Sequence, residues 1–438
     1  VRRAATLASW GVGAALALTL ALEPSAAEAC GGCFVPPETN TLVTGHRMLV
    51  SIASDATTLV DQITYSGEPA SFAWILPTKG LVEVGLSSDL VFATLESQTD
   101  PRVSAPPLNC PASQCLRASA TGGDFENGAG GGSNGGVSVL AQEVVGPYAT
   151  VQLSADEPEA LRTWLEDNGY ALPADVEPVV DAYVAEGWSF LALKLVPGAG
   201  IAAMRPVRVT TPGASVALPL RMVAAGTGPV TPITVYVLGE GRYEPANFPS
   251  FSVDPSAVSW RWESSSSNYV ELLQAGFAAD ARAFATIAAM PEWSLESTLR
   301  STVTYSPAES GYGDGSAASA EGELEADLEA LLGGLDPESR WVTRLQAALP
   351  RSALDVDLEL QASPGQQEVS PFVQATSAVG TPPPCPADPC VPRPLGRCAV
   401  GLDDGREPSD LTRLALGLVG LATLAGLSRR RGARARSA

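Results

Sequence analysis

Histidine and lysine are almost missing from this chain of 438 residues, which has one His (His46) and two Lys (Lys79 and Lys194). A lone imidazole rules out His-x-x-x-His zinc motifs and leaves His46 as the single base for any Ser-His-Asp triad. No strand-to-helix Gly-x-Ser-x-Gly elbow presents a nucleophile to it, so His46 reads as an ordinary surface or strand residue. Two lysines without a supporting pattern give Schiff-base chemistry nothing to stand on, and no Gly-rich phosphate cradle leads into a helix with a Lys. Positive charge is scarce as well: 27 basic residues face 48 acidic ones, a formal net charge of −21. Such a surface repels phosphate backbones and excludes nucleic-acid binding. No motif requires a cofactor.

What is there begins with the two ends. Arg2 and Arg3 precede an apolar run from Ala4 to Leu22, followed by Ala26-Ala27-Glu28-Ala29-Cys30. A positive start, an apolar middle and an Ala-x-Ala site ending at Ala29 describe a secretory signal peptide over 1–29. An uncleaved membrane helix is the competing reading, because the run is nearly long enough to span. At the other end Leu414 to Leu427 is uncharged and apolar, and Arg429, Arg430, Arg431, Arg434 and Arg436 follow at once. Extended back to Leu411, this makes a thin transmembrane or sorting helix over 411–428, with the Arg-rich tail 429–438 in the cytoplasm. A buried amphipathic helix is the alternative. Without the flanking arginines and the leader's two glutamates, the body from Cys30 to Ser428 has 20 basic and 46 acidic residues, a formal charge of −26. The expected product is exported and membrane-anchored at the cell envelope or cell surface.

Seven cysteines fall at Cys30, Cys33, Cys110, Cys115, Cys385, Cys390 and Cys398. They form three close pairs and one left over, and in an oxidising compartment the default is structural disulfides. Spacing does not fix the connectivity, and cross-pairing between the Cys30/Cys33 and Cys110/Cys115 groups competes with local bridging. Redox chemistry at Cys30 and Cys33, or a zinc site, are the alternatives. Cys30-Gly-Gly-Cys33 lies at the expected new chain terminus before Pro36-Pro37, without the helix N-terminus that would lower a thiol pKa. Cys398 is the residue with a separate fate, processing or anchoring.

Between the ends the patterns predict an α+β fold with mixed or antiparallel sheets and several packed helices. Strands are expected at Met48–Ile52, Thr57–Tyr65, Phe72–Leu76 (stopped by Pro77), Val137–Gln142, Tyr148–Leu153, Trp188–Val196, Val207–Thr211, Val216–Val223 and Ile233–Leu238. Helices are expected at about Ser88–Thr99, after Ser154 and Asp156 through Leu161, Trp164 and Leu165 to Gly169, at Val176–Glu186, Tyr269–Met290 and Glu321–Leu332. In the last of these, Leu324, Leu328, Leu331 and Leu332 make an apolar stripe opposite acids. The Gly-rich stretch 121–136 reads as a loop within an exported domain over 30–360, itself one unit or two subdomains. Order is expected to run out after about Leu360, leaving a Pro-rich and acidic stalk over 361–410.

Trp260-Arg261-Trp262, with Tyr243, Phe248 and Phe251 nearby, marks either a ligand groove, a sugar platform among the options, or a strand packing aromatics on a core. Two resemblances add to this. Cys30-Gly-Gly-Cys33-Phe34 after the leader, Tyr65-Ser66-Gly67 with Phe72-Ala73-Trp74-Ile75-Leu76-Pro77, Leu161 to Tyr170 and Tyr183 to Leu195 are similar to a bacterial exported family, domain of unknown function 2330, over about 29–248. Members often begin Cys-Gly-Gly-x-x-Cys, a longer spacing than here. That resemblance implies no catalytic residues. Cys398, a spacer, a short apolar helix and an Arg cluster resemble the C-terminal sorting tails of myxobacterial surface proteins, apart from the acidic spacer Asp403 to Asp410. The resulting expectation is a non-catalytic, disulfide-braced envelope ectodomain with a binding or structural role, membrane contact through its C-terminal helix, and an envelope protein or glycan as ligand. The alternative is a carboxylate-based envelope hydrolase acting on glycans, which needs two acids about 5–10 Å apart in a concave pocket.

Overall fold

The computed structural model describes residues 33–34, 42–66, 73–110, 142–154, 158–167, 176–196, 203–224, 229–292 and 294–385. The chain opens with β1 (Cys33–Phe34), β2 (Leu42–Ile52), β3 (Ala56–Ser66), β4 (Ala73–Thr78) and β5 (Glu83–Leu86), then α1 (Asp89–Thr99) and β6 (Arg102–Ser104). Next come β7 (Gln142–Val145), β8 (Tyr148–Ser154), α2 (Pro158–Asp167), α3 (Glu177–Ala185) and β9 (Ser189–Leu195). They are followed by β10 (Val207–Pro212), β11 (Ala217–Leu218), the single turn α4 (Leu220–Val223), β12 (Val230–Glu240), β13 (Tyr243–Pro245) and β14 (Ser250–Phe251). The last third holds β15 (Ser259–Arg261), β16 (Ser266–Ser267), α5 (Tyr269–Ala279), β17 (Phe284–Pro291), α6 (Leu295–Tyr305), α7 (Ala317–Leu332), β18 (Arg340–Pro350), β19 (Leu358–Ala362), β20 (Phe372–Gln374) and β21 (Ser377–Val379). The fold is α+β, with several sheets.

An eight-stranded mixed sheet, ordered β14-β17-β18-β12-β2-β3-β10-β5, forms the centre. Side chains alternate across it. Met48, Val50, Ile233, Val235, Leu345 and Ala347 enter one core, whereas Leu49, Val60, Tyr236, Leu238 and Val342 enter another. The second core is roofed by α1 through Val91, Phe92 and Leu95, by α6 through Leu295 and Leu299, and by the α7 stripe of Leu324, Leu328, Leu331 and Leu332. A five-stranded sheet, β1-β4-β9-β8-β7, is covered on one face by α2 and α3 and on the other by Val207, Val209 and Leu86. Coverage on both faces explains why Phe190 to Leu193 is buried without interruption. Three small sheets, β11-β19-β13, β16-β15-β21 and β20-β6, complete the body.

Several elements depart from the sequence pattern for identifiable reasons. β4 continues through Pro77, because beyond Trp74 only β9 pairs with it and a proline without N–H is tolerated on an open edge. The strand expected over Val216–Val223 stops at Leu218, and Pro219 turns the chain into α4. The helix expected over Tyr269–Met290 ends at Ala279; Asp280 accepts from the Arg282 N–H at 2.9 Å and the alanine-rich remainder becomes β17. Alanine's helix preference yields there to burial between β14 and β18. Ser154 ends β8 instead of capping a helix, and Asp156 and Gly169 lie outside the described residues. Order does not run out at Leu360: β19 pairs with β11 and β13, β20 with β6, and β21 with β15.

A second compact unit comprises 109–127 and 384–438. Its described residues include Cys110 and Cys385, joined by a disulfide across 275 residues of sequence. This links two of the close cysteine pairs rather than bridging within either. Ala29, Cys30, Cys115, Cys390, Cys398, the leader, the 121–136 stretch and the expected anchor at 411–428 lie outside the described residues. Among the described residues no helix is long and apolar enough to cross a membrane.

Candidate functional site: a cleft beside Trp260

One row of residues across the central sheet organises the site. Strand register aligns Gly85, Arg208, Val60, Leu49, Tyr236, Arg344 and Ala288 from β5 to β17. Directly opposed residues share a face, so this row sets two arginines on either side of an apolar Val-Leu-Tyr centre. Both arginines are buried; the acid over Arg208 is buried with it, whereas the acid over Arg344 is half-exposed at the end of the helical roof.

At the closed end Asp327, on the apolar stripe of α7, is completely buried. Its carboxylate accepts from Arg208 Nη1 at 3.1 Å, Ser87 Oγ at 2.6 Å and Tyr312 OH at 2.8 Å. Burial pushes the Asp327 carboxyl up, and the three donors oppose that shift by favouring the anion. Burial beside this acid raises the Tyr312 phenol.

At the other end lies a cleft of about 510 Å³, within the range of small-molecule sites. Arg344 and Gln346 from β18 line it together with Trp260, Tyr269, Ile287, Asp100 and the serine turn Ser265–Ser267. Each wall has a local cause. Helix α1, capped at Ser88 by the Leu90 N–H, ends at Asp100, and Pro101 then prevents its continuation. Asp100 and Thr99 take hydrogen bonds from Arg344 Nη1, Glu96 lies 3.9 Å from Nη2, and the Tyr236 ring lies 5.6 Å from the guanidinium carbon. β15 and β16 pair Trp260 with Ser267. Asn268 fixes that hairpin by accepting from the Ser259 N–H at 2.7 Å and donating to the Ala257 carbonyl at 3.2 Å. Tyr269 opens α5 at the cleft, and burial raises its phenol while Arg344 draws it back.

Two backbone irregularities border this cleft. Ser265 has φ of 49°, the one positive φ among described residues other than glycine. The β17–β18 register shifts between Thr286 and Ala288, a bulge at Ile287. Strained residues and bulges gather where a side chain is aimed for function. Two donors of its lining residues, Trp260 Nε1 and Arg344 Nε, are shielded from solvent and meet no acceptor among the described residues.

The sequence-named aromatics do not form one groove. Trp260 lines the cleft, and Trp262 stands edge-on to it at 6.5 Å and 72° outside the lining. Tyr243 and Phe248 belong to the core on the opposite sheet face, and Phe251 packs on Phe277. His46 is not at the surface: it is 2 % exposed in β2, with Nδ1 3.7 Å from Asp61 Oδ1. The cavity beside it is about 20 Å³, and no serine or cysteine lines it. A concavity between α6 and α7 holds Glu321 and Glu325, but Arg300 binds both oxygens of Glu325. Among the described residues no three His, Cys, Asp or Glu side chains gather to hold a metal ion.

A model of the bacterial family described as an uncharacterized protein conserved in bacteria, DUF2330, matches residues 24–352. The chain belongs to this family. The DUF2330 match includes β18 and thus both Arg344 and Gln346, and reaches beyond the 29–248 span of the sequence motifs. No curated protein matches the chain. A solved structure of a mutated baculovirus P35 after caspase cleavage is similar at 9 % identity and a TM-score of 0.26. That likeness covers 46 % of this chain and 67 % of the other and carries no argument.

Proposed function

We propose that this DUF2330 protein is a non-catalytic cell-envelope ectodomain that binds a ligand in the cleft beside Trp260. The observation that carries the binding role is the cleft itself, where the helical roof ends over a polar floor of Arg344 and Gln346. Its single carboxylate, Asp100, is committed to Arg344, which favours recognition over proton transfer. Export is supported by the leader 1–29 and by the Cys110–Cys385 disulfide, since such bonds persist in oxidising compartments. The apolar stretch 411–428, bordered by arginines, is the proposed anchor, with Cys398 as a processing or attachment point.

Cell fractionation followed by mass spectrometry of the non-reduced chain tests this reading. The expected result is a membrane-fraction protein beginning near Cys30 and bearing a Cys110–Cys385 linked peptide. A chain dissolved in the cytosol with every thiol reduced would contradict it.

A further inference from the structure

The geometry points to a neutral, hydroxyl-rich ligand, a glycan chain, as the occupant of the Trp260 cleft. This deepens the binding role proposed above and rests on it. Three features of the lining set the class.

The first is charge. The guanidinium of Arg344 is shared by Asp100 and Glu96, and Glu96 is also 3.1 Å from Arg47. Two cations thus meet two anions, so the cleft offers neither an acid nor a base a net attraction. The body around it, at −26, repels anionic polymers further.

The second is the pairing of aromatic and polar groups. Trp260, only partly buried, gives a flat surface on which the C–H-rich face of a sugar ring packs, and the exposed Val270 extends the apolar part, with Tyr269 and Ile287 buried behind them. Ser265, Ser266 and Gln346 supply donors and acceptors for the rim hydroxyls, and Arg344 adds donors at the floor. A sugar presents both characters in one ring, with hydroxyls around its whole rim, and a fatty chain does not.

The third is that the turn holding these serines is built, not incidental. Ser264 and Ser266 hydroxyls lie 2.7 Å apart, the Tyr269 N–H donates to Ser267 Oγ, and Ser265 keeps its left-handed backbone although a glycine would hold it without cost. The bulge at Ile287 is on the facing wall. Two irregularities converge on one cavity, which fits a surface held ready for a ligand.

The test uses the full chain purified in detergent and measures binding by isothermal titration calorimetry. The probes are neutral hexose and N-acetylhexosamine oligomers, uronic-acid oligomers, and a proline-rich peptide. The expected result is saturable binding of a neutral oligomer only, weakened about tenfold or more by Trp260→Ala in a chain that still unfolds cooperatively in urea. If Trp260→Ala does not fold, Gln346→Leu, of similar size and without hydrogen-bonding capacity, decides with the same expected loss. Binding that persists in the folded variant overturns the assignment of this cleft. Preference for the acidic oligomer or the peptide overturns the ligand class and leaves the binding role standing. An envelope-located chain that ignores every neutral oligomer refutes the glycan inference alone, whereas a cytosolic chain refutes the underlying reading whatever it binds.

Discussion

Arg208 and Arg344 occupy the same row of the same sheet face and are both buried, and what separates them is the exposure of the acid each one meets. Arg208 meets an acid that is itself completely buried and already holds two hydroxyl donors. Gly85 beside it leaves room for the guanidinium, since a Cβ there would lie 2.6 Å from Arg208 Nη2. Arg344 meets Asp100, whose side chain is 51 % exposed, and its Nε meets no acceptor among the described residues. A buried ion pair with every oxygen served braces the fold, and losing one partner strands the other charge. Arg344 is buried too, but the acids it meets are part-exposed and stay hydrated when it is removed, so its loss costs little. The comparison separates scaffold from site without reference to any motif.

The sharpest way to break the comparison is at the closed end. Asp327→Ala leaves Arg208 buried and unpaired, and urea unfolding is expected to show a loss of about 3–5 kcal/mol. Next in size is Tyr312→Phe, expected to cost about 1–3 kcal/mol at neutral pH by removing a hydrogen bond to a charged group.

The same residue links stability to pH. Tyr312 and Tyr183 both hold their phenol protons above the ordinary tyrosine value of 10.0, chiefly through burial and then through Asp327 and Asp357. The unfolded chain releases these protons above about pH 10 and the folded chain does not. Their contribution is therefore complete below about pH 10 and is lost as pH rises beyond it. Unfolding midpoints measured from pH 8 to 11 should fall at the alkaline end, and less steeply in Tyr312→Phe.

Gly85→Ala tests whether Arg208 is truly pinned. A free side chain would swing aside, whereas one held by Asp327 cannot, and overpacking then costs about 1–2 kcal/mol in the same urea assay. The smallest effect belongs to the cleft turn: Ser265→Gly relieves the left-handed strain and should raise stability by about 0.5–1 kcal/mol. A destabilised Ser265→Gly chain would show that the turn is not strained.

Much of the closed region was legible in the sequence, and little of the cleft was. β2, β3, β9, β10 and α7 follow their periodicities because one or both faces are buried. Even Asp327 left a signal, an acid three residues after Leu324 and four before Leu331, within the apolar stripe. The cleft is assembled from β6, β15, β16, β17 and β18, from α5 and from Asp100 just beyond α1, so its parts are far apart in the chain. Trp260 was visible as an aromatic, but Arg344 and Gln346 read as ordinary polar positions of a strand. Their sheet neighbours, not their sequence neighbours, make them a floor. Tyr243 and Phe248 were grouped with Trp260 by proximity in sequence, and strand alternation sends them to the opposite core.

Arg344→Met gives the most direct test that this arginine serves the cleft and not the scaffold. Urea unfolding and titration with a neutral oligosaccharide would be run on the same preparation, beside Asp327→Ala. The expected outcome is a stability change of about 1 kcal/mol or less together with lost binding. A collapse as large as that of Asp327→Ala, or undiminished binding, would contradict it.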